Sequence, residues 1–324
     1  MNQKQIRELE NIINRDHSNI AGMVVQKDGK VLYENYFNAC SATTAIHVFS
    51  ITKSVISVLL GIAIDQGYIK GVDQKVLDFF PDYIVKRGEK TIQTVTIQNM
   101  LTMTAPYKYK SAPYTKYFTS DDWAKSALDL LGGKKPVGEF RYTPLIGPDI
   151  LSGILVRATG QSVLNFAKEH LFSPLGITVC SDVHFKDKEE QLAFLKAKGI
   201  SGWVSGPKGT NTAGWGLAMT AMDMSKIGTL YLNRGKWKGK QIVSENWIAE
   251  SIKAHSRWEE RDLPYGYLWW PKIGKGYAAM GDSGNVIYIN PNKKLVVSIA
   301  SLFKPTAKDR VEFIMEYIEP ALET

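Results

Sequence analysis

The run Ser54-Val-Ile-Ser-Val-Leu-Leu-Gly-Ile-Ala-Ile64 is apolar nearly all round. A helix of that character has no face to give to water, so it must lie inside a fold and be covered on every side. A chain of 324 residues is long enough to wrap it, as one large domain or two. Directly before the run stands Ser50-Ile-Thr-Lys53. On a helix that starts at Ser50, residues i and i+3 share a face, so the hydroxyl and the lysine amine come together. The hydroxyl also sits at a helix N-terminus, where free backbone N–H groups can stabilise an oxyanion. A serine beside a desolvated lysine is one of the few ways to make an alcohol nucleophilic near neutral pH. The competing reading is a plain serine helix cap, and the tetrapeptide alone does not separate the two. Ser-x-x-Lys recurs at Ser205-Gly-Pro-Lys208, which reads as a turn, and at Ser301-Leu-Phe-Lys304, which closes a strand-like run before Pro305. Only Ser50 opens a long buried helix.

Composition narrows the alternatives. The 44% apolar and 22% charged fractions belong to an ordinary globular protein, not a disordered one. A net charge of +8 invites an acidic partner, but the lysines are scattered or clustered in turns, as in Arg234-Gly-Lys-Trp-Lys-Gly-Lys240. With no arginine-rich helix or aromatic RNA-binding signature beside them, they read as solvated surface, and nucleic acid is not expected as a partner. The two cysteines, Cys40 and Cys180, make neither a disulfide scaffold nor a zinc spacing. Met1-Asn-Gln-Lys-Gln-Ile-Arg-Glu-Leu-Glu10 lacks the apolar core of a signal peptide, and no stretch reaches the roughly 18 apolar residues of a membrane span. The expectation is a soluble cytoplasmic protein with no membrane partner.

Along the chain, Ile20–Val25 and Val31–Phe37 flank Lys27-Asp-Gly-Lys30, a hairpin signal. The segment from about 69 to 200 reads as mostly helical, with Ile97–Leu101, Asp121–Leu131 and Asp149–Ala158 as its helices. Helices Met219–Asn233 and Ser244–Ala254 follow, then strands at Tyr277–Gly281, Val286–Asn290 and Leu295–Leu302. In the last helix Val311, Ile314, Met315 and Ile318 fall on one stripe. This is an α+β pattern: hairpins at both ends joining into one antiparallel sheet flanked by helices, with a helical insert between. The expected division is an α/β lobe of residues 1–68 and 205–324, a mostly helical lobe of 69–204, and a cleft where they meet.

With the motifs in order, Val48-Phe-Ser-Ile-Thr-Lys-Ser54 resembles the nucleophile motif of the serine β-lactamase and penicillin-binding protein superfamily. The resemblance is to the class C-like branch, with its esterases and 6-aminohexanoate-dimer hydrolases. It extends through Val95–Thr104, Phe140-Arg-Tyr142, Ala158–Ser162, Phe172-Ser-Pro-Leu-Gly176, Gly214–Thr220, Tyr265–Trp270 and Gly284–Pro291. It implies a β-lactamase/transpeptidase-like fold. The family's second motif, Tyr-x-Asn, reads Tyr142-Thr-Pro144, so the tyrosine is kept and the amide is lost. The third motif, usually Lys-Thr-Gly, His-x-Gly or Trp-x-Gly, reads Ala279-Met-Gly281: the glycine is kept, and Ala279 brings neither cation nor ring. The resemblance then places the oxyanion hole on the N–H groups of Ser50 and Asp282, with the Asp282 side chain incidental.

The implied chemistry is attack by Ser50 on a carbonyl, an acyl-enzyme and its hydrolysis, with Lys53 and Tyr142 sharing the proton traffic. Lys53 is the base if burial lowers its pKa by about 3.4 units, from about 10.4 to neutrality. Alternatively a charged Lys53 lowers the Tyr142 pKa and the phenolate is the base. No metal or organic cofactor is implied. The expected partner is a small ester or amide, because the place that holds a substrate carboxylate in β-lactamases and D-alanyl peptidases holds Ala279. Two alternatives stand beside this hydrolase: a penicillin-binding or sensor module that acylates without turnover, and a β-lactamase or D-alanyl peptidase. Gly281-Asp-Ser-Gly284 also looks like a chymotrypsin-type nucleophile signature, but none of the five histidines has the context that mechanism needs.

Overall fold

The β-rich ends of the chain enter a single sheet. In the computed structural model, which describes residues 1–322, the strands are β1 (Ile20–Lys27), β2 (Lys30–Tyr36), β3 (Trp270–Ile273), β4 (Gly276–Gly281), β5 (Asn285–Asn290) and β6 (Leu295–Ser301). They lie in the order β3-β4-β5-β6-β1-β2, every neighbour antiparallel. Asp28 and Gly29 both take positive φ (50° and 75°), the backbone a tight hairpin turn requires, and Lys27 pairs with Lys30 across it. The join between the two ends is β1 against β6, in a register that pairs Val24 with Ser298.

Helices α1 (Gln3–Asp16), α2 (Ile51–Asp65), α3 (Asp149–Thr159) and α4 (Ala221–Leu232) frame the sheet and the site. The sheet's period of two sorts the layers. Ile287 and Ile289 face α4, which comes in close at Gly228: a Cβ there would stand 2.5 Å from Val296 Cγ1 and 2.8 Å from Ile287 Cγ2. Tyr288, between them, points to the other face and donates to Glu319 on the C-terminal helical segment (2.9 Å). That segment packs with the end of α1, the His17 and Phe313 rings lying 4.4 Å apart. Helix α2 is the buried element its composition demands, with every residue from Ile51 to Ala63 shielded from solvent and Gly61 pressed on the Trp247 ring.

Several boundaries differ from the sequence reading. Strand β3 was not expected; it is a short edge strand with Pro271 inside it and Lys272 at φ 54°, features that hide a strand from pattern reading. Met219 is not helical, because Ala218–Met219 pairs with Ile46–His47 ahead of α4. The mostly helical segment also carries a parallel pair, Ser181–Val183 with Gly202–Val204. In the last helix Met315 leaves the apolar stripe and is 37% exposed, since the chain passes through a π-turn at Ile314–Ile318 that rotates it outward. Among the described residues no helix is long and apolar enough to cross a membrane.

Candidate active site

The turn into α2 sets up the reactive geometry. Phe49 sits at φ 51°, a left-handed conformation that costs a non-glycine residue about 1–3 kcal/mol and that clusters at functional sites. Ser50 follows with helical backbone angles, and its side chain makes no capping hydrogen bond. The plain-cap reading of Ser50 is thereby removed. Its Oγ lies 2.8 Å from the Lys53 amine, which also donates to the Gly214 carbonyl at 2.7 Å. Lys53 is 1% exposed. Burial drives its pKa down to about 7, against the opposing pull of the Asp282 and Asp149 carboxylates.

Tyr142 reaches the same hydroxyl from the helical insert, with Oη 3.4 Å from Ser50 Oγ and its ring centroid 5.4 Å from the Lys53 amine. Its ring stacks on Trp258 (5.4 Å, 13° between planes) and meets Tyr265 edge-on and Trp270 at a tilt. Burial pushes the phenol up to about 12, the Ser50 contact pulling it down and Asp282 adding to the rise. The same burial therefore acts oppositely on the two candidate bases. It frees a neutral amine near pH 7 and penalises the phenolate, so this geometry favours Lys53 as proton acceptor. Pro144 is exposed, and the carbonyls of Pro144 and Leu145 press on Gly214, where a Cβ would come within 2.6 and 2.9 Å of them. Backbone rather than an amide side chain occupies that side of the site.

The end of β4 crosses the head of α2. A Cβ on Gly281 would lie 2.3 Å from the Val48 carbonyl and 3.2 Å from the Ser50 nitrogen, so only glycine fits there. This approach brings the strand end that precedes Asp282 against the head of α2. Ala279 is fully buried in the strand and paired with Ile287. The Asp282 carboxylate is exposed, and its negative charge favours the protonated forms of both Lys53 and Tyr142. Ser283 is spent on structure: its Oγ donates to the Lys304 carbonyl (3.1 Å) and accepts from the Lys304 N–H (3.0 Å). Behind this turn Asn19 donates to the Ser283 and Leu302 carbonyls, and the buried Arg310 donates to Asn19 (2.6 Å).

His47 packs against Phe49, Phe194 and Trp215, and its Nε2 accepts from the Gly216 N–H (2.9 Å). Full burial lowers it to about 3, so it is neutral and stands apart from the proton traffic. Of the tryptophans, Trp203 and Trp269 are core, whereas Trp270 and Trp258 border Tyr142. Trp258 and Asp149 escaped the sequence reading. The first lies in a three-residue strand, too short to give a pattern, and the second is one acidic residue at a helix start, a place that ordinarily means only a favourable dipole. Among the described residues no cluster of three His, Cys, Asp or Glu side chains is placed to hold a metal, and both cysteines are free.

An antiparallel sheet whose strand end crosses the head of a buried helix, with serine, lysine and tyrosine converging there, is the arrangement of the serine β-lactamase and penicillin-binding protein superfamily. The comparisons agree with that class. A family model described as beta-lactamase matches residues 9–315, and the chain belongs to that family. It is 23% identical over 298 residues to a 6-aminohexanoate-dimer hydrolase of Paenarthrobacter ureafaciens, covering 85% of this chain and 70% of that one. Among solved structures it superposes on a family VIII carboxylesterase (TM-score 0.72, 15% identity, 99% of this chain and 96% of that one). It also superposes on a penicillin-binding protein homologue from Caulobacter crescentus (TM-score 0.71, 16% identity, 92% and 91%). These structural likenesses establish the β-lactamase/transpeptidase-like fold.

Proposed function

We propose that this protein is a serine hydrolase that cleaves a small ester or amide through an acyl-enzyme on Ser50. One observation carries the reading: a buried lysine amine, held near neutrality, stands 2.8 Å from a serine hydroxyl that does not cap its own helix. With Lys53 neutral, the Ser50 hydroxyl donates to the amine as Oγ attacks the substrate carbonyl. The N–H groups of Ser50 and Asp282 receive the oxyanion, a contribution of a few kcal/mol in such sites. Collapse expels the alcohol or amine, which takes its proton from Lys53 directly or through Tyr142. Water then attacks the acyl-enzyme with the same groups acting in reverse.

The substrate class follows from what flanks the serine. The strand that carries a lysine in β-lactamases offers Ala279 here, and Asp282 adds a negative charge beside the reacting centre. A substrate carboxylate directed at this strand loses a charge-assisted hydrogen bond, about 1.5–3 kcal/mol, and meets repulsion as well. A neutral ester loses nothing. The kinship with 6-aminohexanoate-dimer hydrolase and carboxylesterase supports an amide or ester as the bond cleaved. The test compares kcat/KM for a short-chain p-nitrophenyl ester with that for a chromogenic cephalosporin. The ester is expected to be favoured by at least about tenfold. Preference for the cephalosporin would overturn the substrate assignment, and a stable adduct without turnover would make the protein a sensor module instead.

A further inference from the structure

Asp149 is a carboxylate in an unusual place. It opens α3, is 2% exposed, and faces inward instead of lying at the surface with the helix dipole. One oxygen accepts the Ala213 N–H at 2.7 Å and, at a longer 3.4 Å, the Gly214 N–H; the other accepts from the Tyr117 hydroxyl. The far side of Gly214 is its carbonyl, which accepts from the Lys53 amine at 2.7 Å. Gly214 itself is confined: the carbonyls of Pro144 and Leu145 leave no room for a side chain. A rigid chain of contacts therefore runs from Tyr117 through Asp149 and the 213–214 backbone to the lysine.

We propose that Asp149 is the positioning residue for Lys53: its carboxylate clamps the 213–214 amides so that the Gly214 carbonyl is aimed at the amine, and its negative charge stands behind that carbonyl as a brake on how readily the amine gives up its proton. The inference rests on the reading of Lys53 as the proton acceptor. The carboxylate's own surroundings fit the role. Burial raises Asp149 to about 6, with Tyr117 and the two amides pulling it back, so it is ionised at neutral pH where the lysine titrates. Lys53 also faces the Ser50 hydroxyl, the Tyr142 ring and the charge of Asp282, while nearby His47 is neutral. The charges of Asp282 and Asp149 both favour protonated Lys53 against burial. Without such a brake the amine becomes a poorer base even as it becomes easier to deprotonate, because general bases work best with a pKa near the working pH.

The test reads the lysine itself, so that it does not depend on the protein having the proposed activity. Protein isotope-labelled at the lysine ε-carbons is titrated by NMR; one resonance, absent from Lys53→Ala, is expected to titrate near pH 7. Asp149→Asn keeps the shape, with the amide oxygen still able to accept from Ala213 and the NH2 able to donate to Tyr117. It should lower that midpoint by roughly one pH unit, the low end for losing a nearby opposite charge. The acid limb of kcat/KM should move down by the same amount. Tyr117→Phe keeps the carboxylate but removes a donor that stabilises its charge, so it should move the midpoint the same way by less; it decides the matter if Asp149→Asn does not fold. Midpoints unchanged from wild type, in whichever of the two variants folds, overturn the inference and leave Asp149 a structural residue. A shifted lysine in a protein that hydrolyses no ester or amide would uphold it while rejecting the proposed function.

Discussion

Gly281→Ala is the most revealing single substitution at this site, because it adds one methyl group at a place where the backbone of another element already is. The methyl carbon would stand 2.3 Å from the Val48 carbonyl oxygen and 3.2 Å from the Ser50 nitrogen, where ordinary contact begins near 3.4 Å. Strand or turn must therefore yield by about 1 Å, and both carry the groups assigned to the oxyanion. A misplacement of about 1 Å at a reacting centre costs on the order of a hundredfold in rate, or about 2.7 kcal/mol. Loss of an oxyanion donor costs about a hundred- to a thousandfold. We expect kcat for a p-nitrophenyl ester to fall at least about a hundredfold, with KM changing less because the missing interaction belongs to the transition state. Gly281 lies at the half-exposed end of β4, so the variant should still fold, which thermal melting checks. A folded Gly281→Ala protein with near-wild-type kcat would refute the close-approach argument and with it the oxyanion assignment to Asp282.

Lys53→Ala and Tyr142→Phe should each slow turnover by at least about a hundredfold, and the double variant should lose much less than the product of the two, since both act on the Ser50 proton. Single and double rate constants in one assay check this, and simple additivity would separate their roles. The pH profile should show an acid limb with a midpoint near pH 7. The active form needs neutral Lys53, so each pH unit below that midpoint costs about tenfold in kcat/KM. A profile that rises instead through the phenol range, near 12, would make Tyr142 the base.

The sheet was legible because both of its ends carry strong local signals: an Asp-Gly turn in one, and runs rich in β-branched residues and free of proline in β5 and β6. Strand β3 was not, because its pairing partner decides it and its own residues, Pro271 and Lys272 at positive φ, argue against it. At the site, Ser50 and Lys53 could be paired from spacing alone, since a helix fixes the distance between i and i+3. Their contact with Tyr142 spans 92 positions of sequence and is a property of the fold, as is the pressure of Gly281 on Ser50. Charge was the least legible of all. Asp149 and Asp282 lie far from Lys53 in sequence, and neither position announces that its charge will act on the amine, Asp149 from inside the core and Asp282 from an exposed turn.

The central claim is that Ser50 carries the acyl group, and an activity-based phosphonate tests it in one measurement. Intact mass after reaction should show a single adduct, and peptide mapping should place it on the peptide containing Ser50, with no adduct on Ser50→Ala protein. An adduct on the peptide containing Ser283, or ester hydrolysis undiminished in folded Ser50→Ala, would contradict the account.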